Sequence, residues 1–223
     1  LSYKTPKDVE ERKKENQKRI LDTAAVIFAE RGYHATTVKD VVNEAGMSVG
    51  SFYFYFKNKE DLLEKLYDLI VPLILKVLER DVSADNFGVI ERICDVVTLT
   101  FAFFQERKEL ARVMLIEAIG ITPDLDRKNA EGFKVLLSAI EKSLETFQKD
   151  NRIRTENIEL TSMAMLGEVY FVMMNWLYGN TEPNLTDYAY PIAIHQLRAM
   201  SVEFEEETVK NYIEKLLFSD CCQ

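Results

Sequence analysis

The chain has 223 residues, 47% of them hydrophobic, 11% aromatic and 29% charged, which excludes disorder along its whole length and allows one large core or a small domain beside a larger one. Its formal net charge of −9 is unevenly spread, because residues 1–60 hold 11 Lys and Arg against 9 Asp and Glu. That first part has a balance of +2 and the remainder carries −11, so only the first part suits a polyanionic partner.

Residues 1–16 are polar and Lys-rich, with Pro6 breaking any early helix. They read equally as a solvated terminus and as a basic arm reaching DNA. From about Val9 or Glu11 to Arg31 the pattern predicts a helix that buries Ile20, Ala24, Ile27 and Phe28 and ends at Gly32. Thr37 with Asp40 forms a capping box for the next helix, in which Val38, Val41, Val42 and Ala45 share a face. Gly46 supplies a turn and Ser48 a cap for a third helix. That third segment, Val49 to Phe56, contains five consecutive aromatics and alternates like a strand. No partner strand lies nearby to satisfy its backbone, so a short helix with Phe52 and Phe56 inward is expected. Asn58 with Asp61 gives a second capping box and starts a helix near Lys59. Helix, glycine turn and capped helix is the helix-turn-helix order.

The run from Gly32 to Leu62 also resembles the DNA-binding signature of the TetR family of bacterial transcriptional regulators. The matching positions are Gly32, Thr36-Thr37-Val38, Asp40-Val41, Ala45-Gly46, Ser48, Gly50-Ser51, Tyr53, Tyr55-Phe56, Lys59 and Leu62. The resemblance implies that Thr37, Tyr53, Tyr55 and Lys59 face phosphates, while Lys39, Val49, Gly50, Ser51 and Phe54 lie near base edges and Ser48 caps the reading helix. At Gly50 a missing side chain lets that helix approach the groove closely. The segment departs from the family in two ways. It has no Arg, Lys, Asn or Gln between Val49 and Phe56, so bidentate readers of guanine and adenine are missing. Val42 stands where the family usually has Ala.

Beyond Lys59 the chain reads as helices throughout. The first continues to about Arg80 with Pro72 inside it, where a bend or break near Asp68 to Val71 is expected. Phe87 to Glu106 is apolar on most of its surface and suits a central buried helix. Leu110 to Ile119 follows and stops at Gly120. Thr122 and Pro123 then cap and open a helix reaching about Asp150. Asn157 to Tyr178 is apolar nearly all round, a further helix lies within Thr186 to Met200 near Pro191, and a last one runs from about Val202 to Phe218. In the resembled family the last two helices pack subunit against subunit, which implies a homodimer.

The chemistry excludes an enzyme. His34 and His195 are the two histidines, and the sequence shows no metal-ligand spacing, phosphate-cradling loop or nucleophile elbow, so neither metal nor cofactor is expected. Cys94, Cys221 and Cys222 make no disulfide framework. Glu168 and Asn175 interrupt the longest apolar stretch before it could span a membrane, and no leader pattern is seen, so a cytoplasmic protein is expected. Phe101, Phe104, Met114, Met163, Tyr170, Met173, Met174 and Trp176 read individually as core. Together with Arg112, Glu117, Glu168, Asn175 and His195 they suit an apolar effector cavity with a few polar anchors.

The expectation is an all-α chain with an N-terminal three-helix helix-turn-helix domain, residues 1–58, and a larger ligand-binding and dimerisation domain, residues 59–223. The function expected is a ligand-responsive repressor that leaves a palindromic operator when a small, largely apolar molecule binds. The alternative is an interaction protein of the same fold that has lost operator binding.

Overall fold

The structure, a computed structural model, describes residues 6–78, 88–179 and 183–218. Among the described residues there are ten α-helices and no strand. They form two compact units, one of Leu1–Ile70 with Glu109–Asp126, the other of Val71–Lys108 with Arg127–Gln223.

In the first unit, α1 spans Pro6–Arg31, starting earlier than Val9 or Glu11. Pro6 opens the helix in place of breaking it, since the N–H that proline lacks is one of those a helix start leaves unpaired anyway. Ile20, Ala24, Ile27 and Phe28 are buried as the spacing requires. Helix α2, Val38–Glu44, has the expected box: Asp40 N–H donates to Thr37 Oγ1 at 3.2 Å and Thr37 N–H to Asp40 Oδ2 at 2.8 Å. It closes with Met47 N–H on the Val42 carbonyl at 2.8 Å, around Gly46 at φ +60. A Cβ at Gly46 would also stand 2.8 Å from the Arg19 guanidinium.

Helix α3, Val49–Tyr55, is capped by Ser48, whose Oγ accepts from Ser51 N–H at 3.1 Å. Phe52 and Phe56 are buried with ring centroids 5.4 Å apart. Helix α4, Lys59–Leu78, starts with Asn58 Oδ1 accepting from Asp61 N–H at 2.8 Å. The reciprocal half of the expected box differs, because Asp61 Oδ2 accepts from Lys57 N–H at 2.8 Å. The helix runs unbroken through Pro72, which is exposed, so of the bend or break expected near Asp68 to Val71 the break does not occur. The segment read as one helix from Leu110 to Ile119 is α6, Lys108–Arg112, followed by a π turn over Val113–Glu117, with Ala118 N–H bonded to the Val113 carbonyl at 2.9 Å.

The second unit is built on α5, Val89–Glu106, which buries Ile93, Val97, Phe101 and Phe104. Against it pack a 3-10 turn, Leu185–Tyr188, helix α9, Ala189–Ala199, and helix α10, Glu206–Phe218. Tyr212 OH of α10 donates to the buried Asp95 at 3.0 Å. Helix α7, Pro123–Lys149, and helix α8, Ile158–Tyr178, complete the described helices. Helix α10 starts later than Val202 because Ser201, at φ +53, closes α9 with Val202 N–H on the Leu197 carbonyl at 3.0 Å. Its residues Val209 and Ile213 are buried within the chain, while α8 leaves Leu160, Met163, Phe171 and Tyr178 exposed. Phe87, Cys221 and Cys222 lie outside the described residues. No described helix is long and apolar enough to cross a membrane.

Candidate nucleic-acid interface

Helix α3 is sorted sharply by burial. Phe52 and Phe56 anchor it, which forces the intervening residues outward on a seven-residue helix. Tyr53 is 59% exposed, Phe54 64% and Val49 39%, and Ser48 and Gly50 are exposed beside them. A Cβ at Gly50 would meet only Ser48 Oγ, at 3.8 Å, so packing within the chain does not demand glycine there. The Ser48 and Ser51 hydroxyls are paired with each other at 2.9 Å. Thr37 and Lys39 are exposed at the start of α2, and Tyr55 is half-buried with its ring 4.9 Å from that of Phe54.

Lys59 is placed differently from the other candidates. Its Nζ donates to the carbonyls of Tyr33 at 2.7 Å and Thr36 at 2.8 Å, and lies 4.1 Å from the Tyr33 ring centroid. Burial lowers its pKa, partly opposed by the Glu60 charge. Two of its three N–H bonds are therefore committed inside the protein.

Two further cations belong to this face: Lys13, which the basic-arm reading included without giving it a partner, and Lys65, which sequence reasoning missed. Lys13 Nζ of α1 stands 5.4 Å from the ring centroid of Phe54, and Lys65 Nζ donates to the Tyr55 carbonyl at 3.3 Å and pairs with Asp61 at 3.4 Å. The i,i+4 spacing of Asp61 and Lys65 was a visible signal for the latter. Nothing in the sequence indicated that Lys13, forty-one residues from Phe54, would meet it. Asp40, held by Thr37 through side-chain and then backbone hydrogen bonds, has its carboxyl pKa lowered.

The candidate effector residues divide between the units. Arg112, Met114 and Glu117 belong to the first; Phe101, Phe104, Glu168, Tyr170, Met173 and Trp176 belong to the second. Phe101, Phe104, Met173 and Trp176 are buried. Within the second unit, Glu168 pairs with His195 Nδ1 at 2.8 Å and the Tyr170 ring packs edge-on to Phe133 at 5.7 Å. Trp176 Nε1 and Glu168 Oε2 are buried without a hydrogen-bond partner. A solvent-open depression of about 640 Å³ elsewhere in this unit is lined by Gln148, Asn151, Ile153, Arg154, Thr155, Glu156, Ala199 and Ser201, none of them an effector candidate. Among the described residues no group of three or more His, Cys, Asp or Glu is arranged to hold a metal.

Comparison with known proteins agrees with this geometry. Residues 20–66 match the model of the bacterial regulatory proteins of the tetR family. The chain is 25% identical over 167 residues to the fatty acid metabolism regulator protein of Bacillus subtilis, covering 74% of this chain and 86% of that protein. In fold it is similar to the fatty acid degradation regulator FadR of Bacillus halodurans, with a TM-score of 0.76 at 23% identity, covering 91% of this chain and all of that one. It is also similar to FadR of Bacillus subtilis solved with stearoyl-CoA, with a TM-score of 0.73 at 23% identity, covering 82% and 98%. The capped helix-turn-helix thus lies within a stretch that matches the tetR family's model, on an all-α chain similar over most of its length to a bacterial metabolic regulator.

Proposed function

We propose that the chain works as a homodimeric repressor, occupying a palindromic operator through α3 and leaving it when a fatty-acyl thioester binds. The single observation carrying the DNA-reading part is the outward set of Val49, Gly50, Tyr53 and Phe54 on a helix whose Phe52 and Phe56 are locked in the core. With no bidentate donor on that face, the reading relies on thymine methyls against Val49 and Phe54, with Lys39 beside them. Thr37, Tyr53 and Tyr55 contact phosphates. A two-fold dimer demands an operator of matching symmetry. Residues 1–58 serve DNA reading in this scheme, and residues 59–223 serve dimerisation and effector binding.

The effector class is supported by the relative solved with stearoyl-CoA and by the aromatic and Met side chains of this chain's larger unit. The effector must bind the two states unequally, and a coupling of about 1–3 kcal/mol is ordinary for such regulators.

The test is a selection from random duplex DNA, followed by a salt titration of the winning sequence with and without stearoyl-CoA. A palindromic winner, steeply salt-sensitive binding and release by stearoyl-CoA are expected. Failure to select any duplex favours the alternative of an interaction protein, which the absence of bidentate donors on α3 motivates. Selection without release by stearoyl-CoA removes only the effector class.

A further inference from the structure

Residues 109–126, which run from α6 into the first turn of α7, belong to the same compact unit as residues 1–70 although α5 lies between them in the chain. From this segment Glu117 Oε2 accepts the N–H of Tyr33 at 2.9 Å, across 84 residues of sequence. The same oxygen stands 3.6 Å from where a Cβ of Gly32 would be. The carboxylate therefore lies on the end of α1, which Gly32 closes at φ +82 with its own N–H on the Phe28 carbonyl at 3.0 Å. Tyr33 passes the hold onward, since its carbonyl and that of Thr36 take the Lys59 ammonium at the head of α4. Thr36 Oγ1 donates back to the Gly32 carbonyl at 2.9 Å, and Thr37 next to it caps α2. One turn, residues 32–37, thus joins the end of α1, the start of α2 and the start of α4, and Glu117 grips it from outside the helix-turn-helix.

The π turn over Val113–Glu117 sets the register of that grip. In a regular α-helix residues five apart point to different faces, whereas an i→i+5 turn brings them together. Arg112 Nε accordingly stands 4.0 Å from Glu117 Oε1, buried and without a hydrogen bond. Rewinding the turn to α geometry would remove its extra residue, turning Glu117 by about 100° and shifting it by about 1.5 Å relative to α6. A bond of 2.9 Å does not survive that change.

We propose that Glu117 is a positioning residue for operator binding: it holds the 32–37 turn, and through it the placement of α2 and α3, only while Val113–Glu117 keeps its π register. This rests on the reading of α3 as the operator-reading helix.

The full chain tests it in three forms: wild type, Glu117→Ala, and Glu117→Gln, whose side-chain carbonyl still accepts a hydrogen bond. The measurements are affinity for a duplex selected by the wild type and hydrogen exchange of the Tyr33 amide by NMR. Glu117→Ala is expected to weaken DNA binding by about tenfold and to speed Tyr33 exchange by a similar factor, while Glu117→Gln stays within about threefold of wild type in both. The proposal is overturned if Glu117→Ala binds as wild type or keeps the Tyr33 amide protected, if Glu117→Gln fails as badly as Glu117→Ala, or if protection is lost evenly through α1 to α4. If the wild type selects no duplex, the operator reading fails and this positioning role fails with it. The exchange arm then reports only whether Glu117 holds the turn.

Discussion

Lys59 and Tyr33 hold each other through two kinds of contact: the ammonium donates to the tyrosine carbonyl at 2.7 Å and sits 4.1 Å from the centre of its ring. The ring in turn packs edge-on to Phe28 at 5.2 Å, so the charge is seated on the core of the small helical unit. A lysine at the head of a helix would otherwise face the positive end of the helix dipole, and the two carbonyls offset that cost.

Lys59→Met should therefore act mainly on folding. We expect a loss of about 1–3 kcal/mol in chemical denaturation, the range for hydrogen bonds to a charged group. The log–log salt slope of DNA binding should fall by clearly less than one unit, because two of the three N–H bonds never face DNA. Lys39→Met, at an exposed position, should do the reverse, leaving stability within about 0.5 kcal/mol while relaxing discrimination at the base pair it reads by about 1–3 kcal/mol.

Phe52 and Phe54 are two residues apart with opposite environments, 0% and 64% exposed. Phe52→Ala should cost about 3–5 kcal/mol of stability as a core truncation. Phe54→Ala should leave the melting transition nearly unchanged yet weaken operator binding, and the loss should vanish when operator thymines are replaced by uracil. Equal binding of the two duplexes by the wild-type protein would show that methyl contacts play no part.

The exposed Phe171 lies at the centre of the α8 stripe formed by Leu160, Met163 and Tyr178. Placing a carboxylate there by Phe171→Glu should convert a dimer to a folded monomer, because burying an unpaired charge in an apolar interface costs more than the contact returns. Light scattering at micromolar concentration decides it, and a wild-type monomer would refute the dimer itself.

Acid should loosen α2 through Asp40. Its pKa is lowered in the folded chain by hydrogen bonds from Thr37, so its stabilisation is fully present above the unfolded carboxyl pKa of about 3.9 and is lost as pH falls through the lower folded value. Thermal melts from pH 6 to pH 2 should show this loss in the wild type. Asp40→Asn should be less stable near neutrality and should show a smaller drop over the acid range.

The helix-turn-helix was legible because its signals are local. Thr37 and Asp40 are three residues apart, Gly46 closes one helix, and Ser48 caps the next, so each bond forms between residues a few positions apart. The five-aromatic run shows the limit of such signals: its alternation suits a strand, and only the lack of a partner and the burial need of Phe52 and Phe56 decide for a helix. Pro6 was misread for a similar reason, since a proline breaks or opens a helix according to its position within it.

Tertiary structure alone decided what the long side chains do. Lys59 matched a phosphate-facing position by sequence, but its reach to Tyr33 and Thr36 depends on how α1 and α4 meet. Lys13 beside Phe54 and Glu117 on the Tyr33 amide join residues 41 and 84 positions apart, and no periodicity encodes such pairs. The π turn is hidden for another reason. One extra residue in a helical ring leaves the apolar pattern of Leu110 to Ile119 almost intact while rotating everything after it. Sequence by itself therefore determined the all-helical class, the helix-turn-helix and the inward or outward sense of α3, all of which follow from backbone capping and hydrophobic spacing. Which charged groups are spent inside the fold and which remain for a partner was settled only by distances between helices, because a flexible four-carbon side chain has no preferred partner until packing offers one.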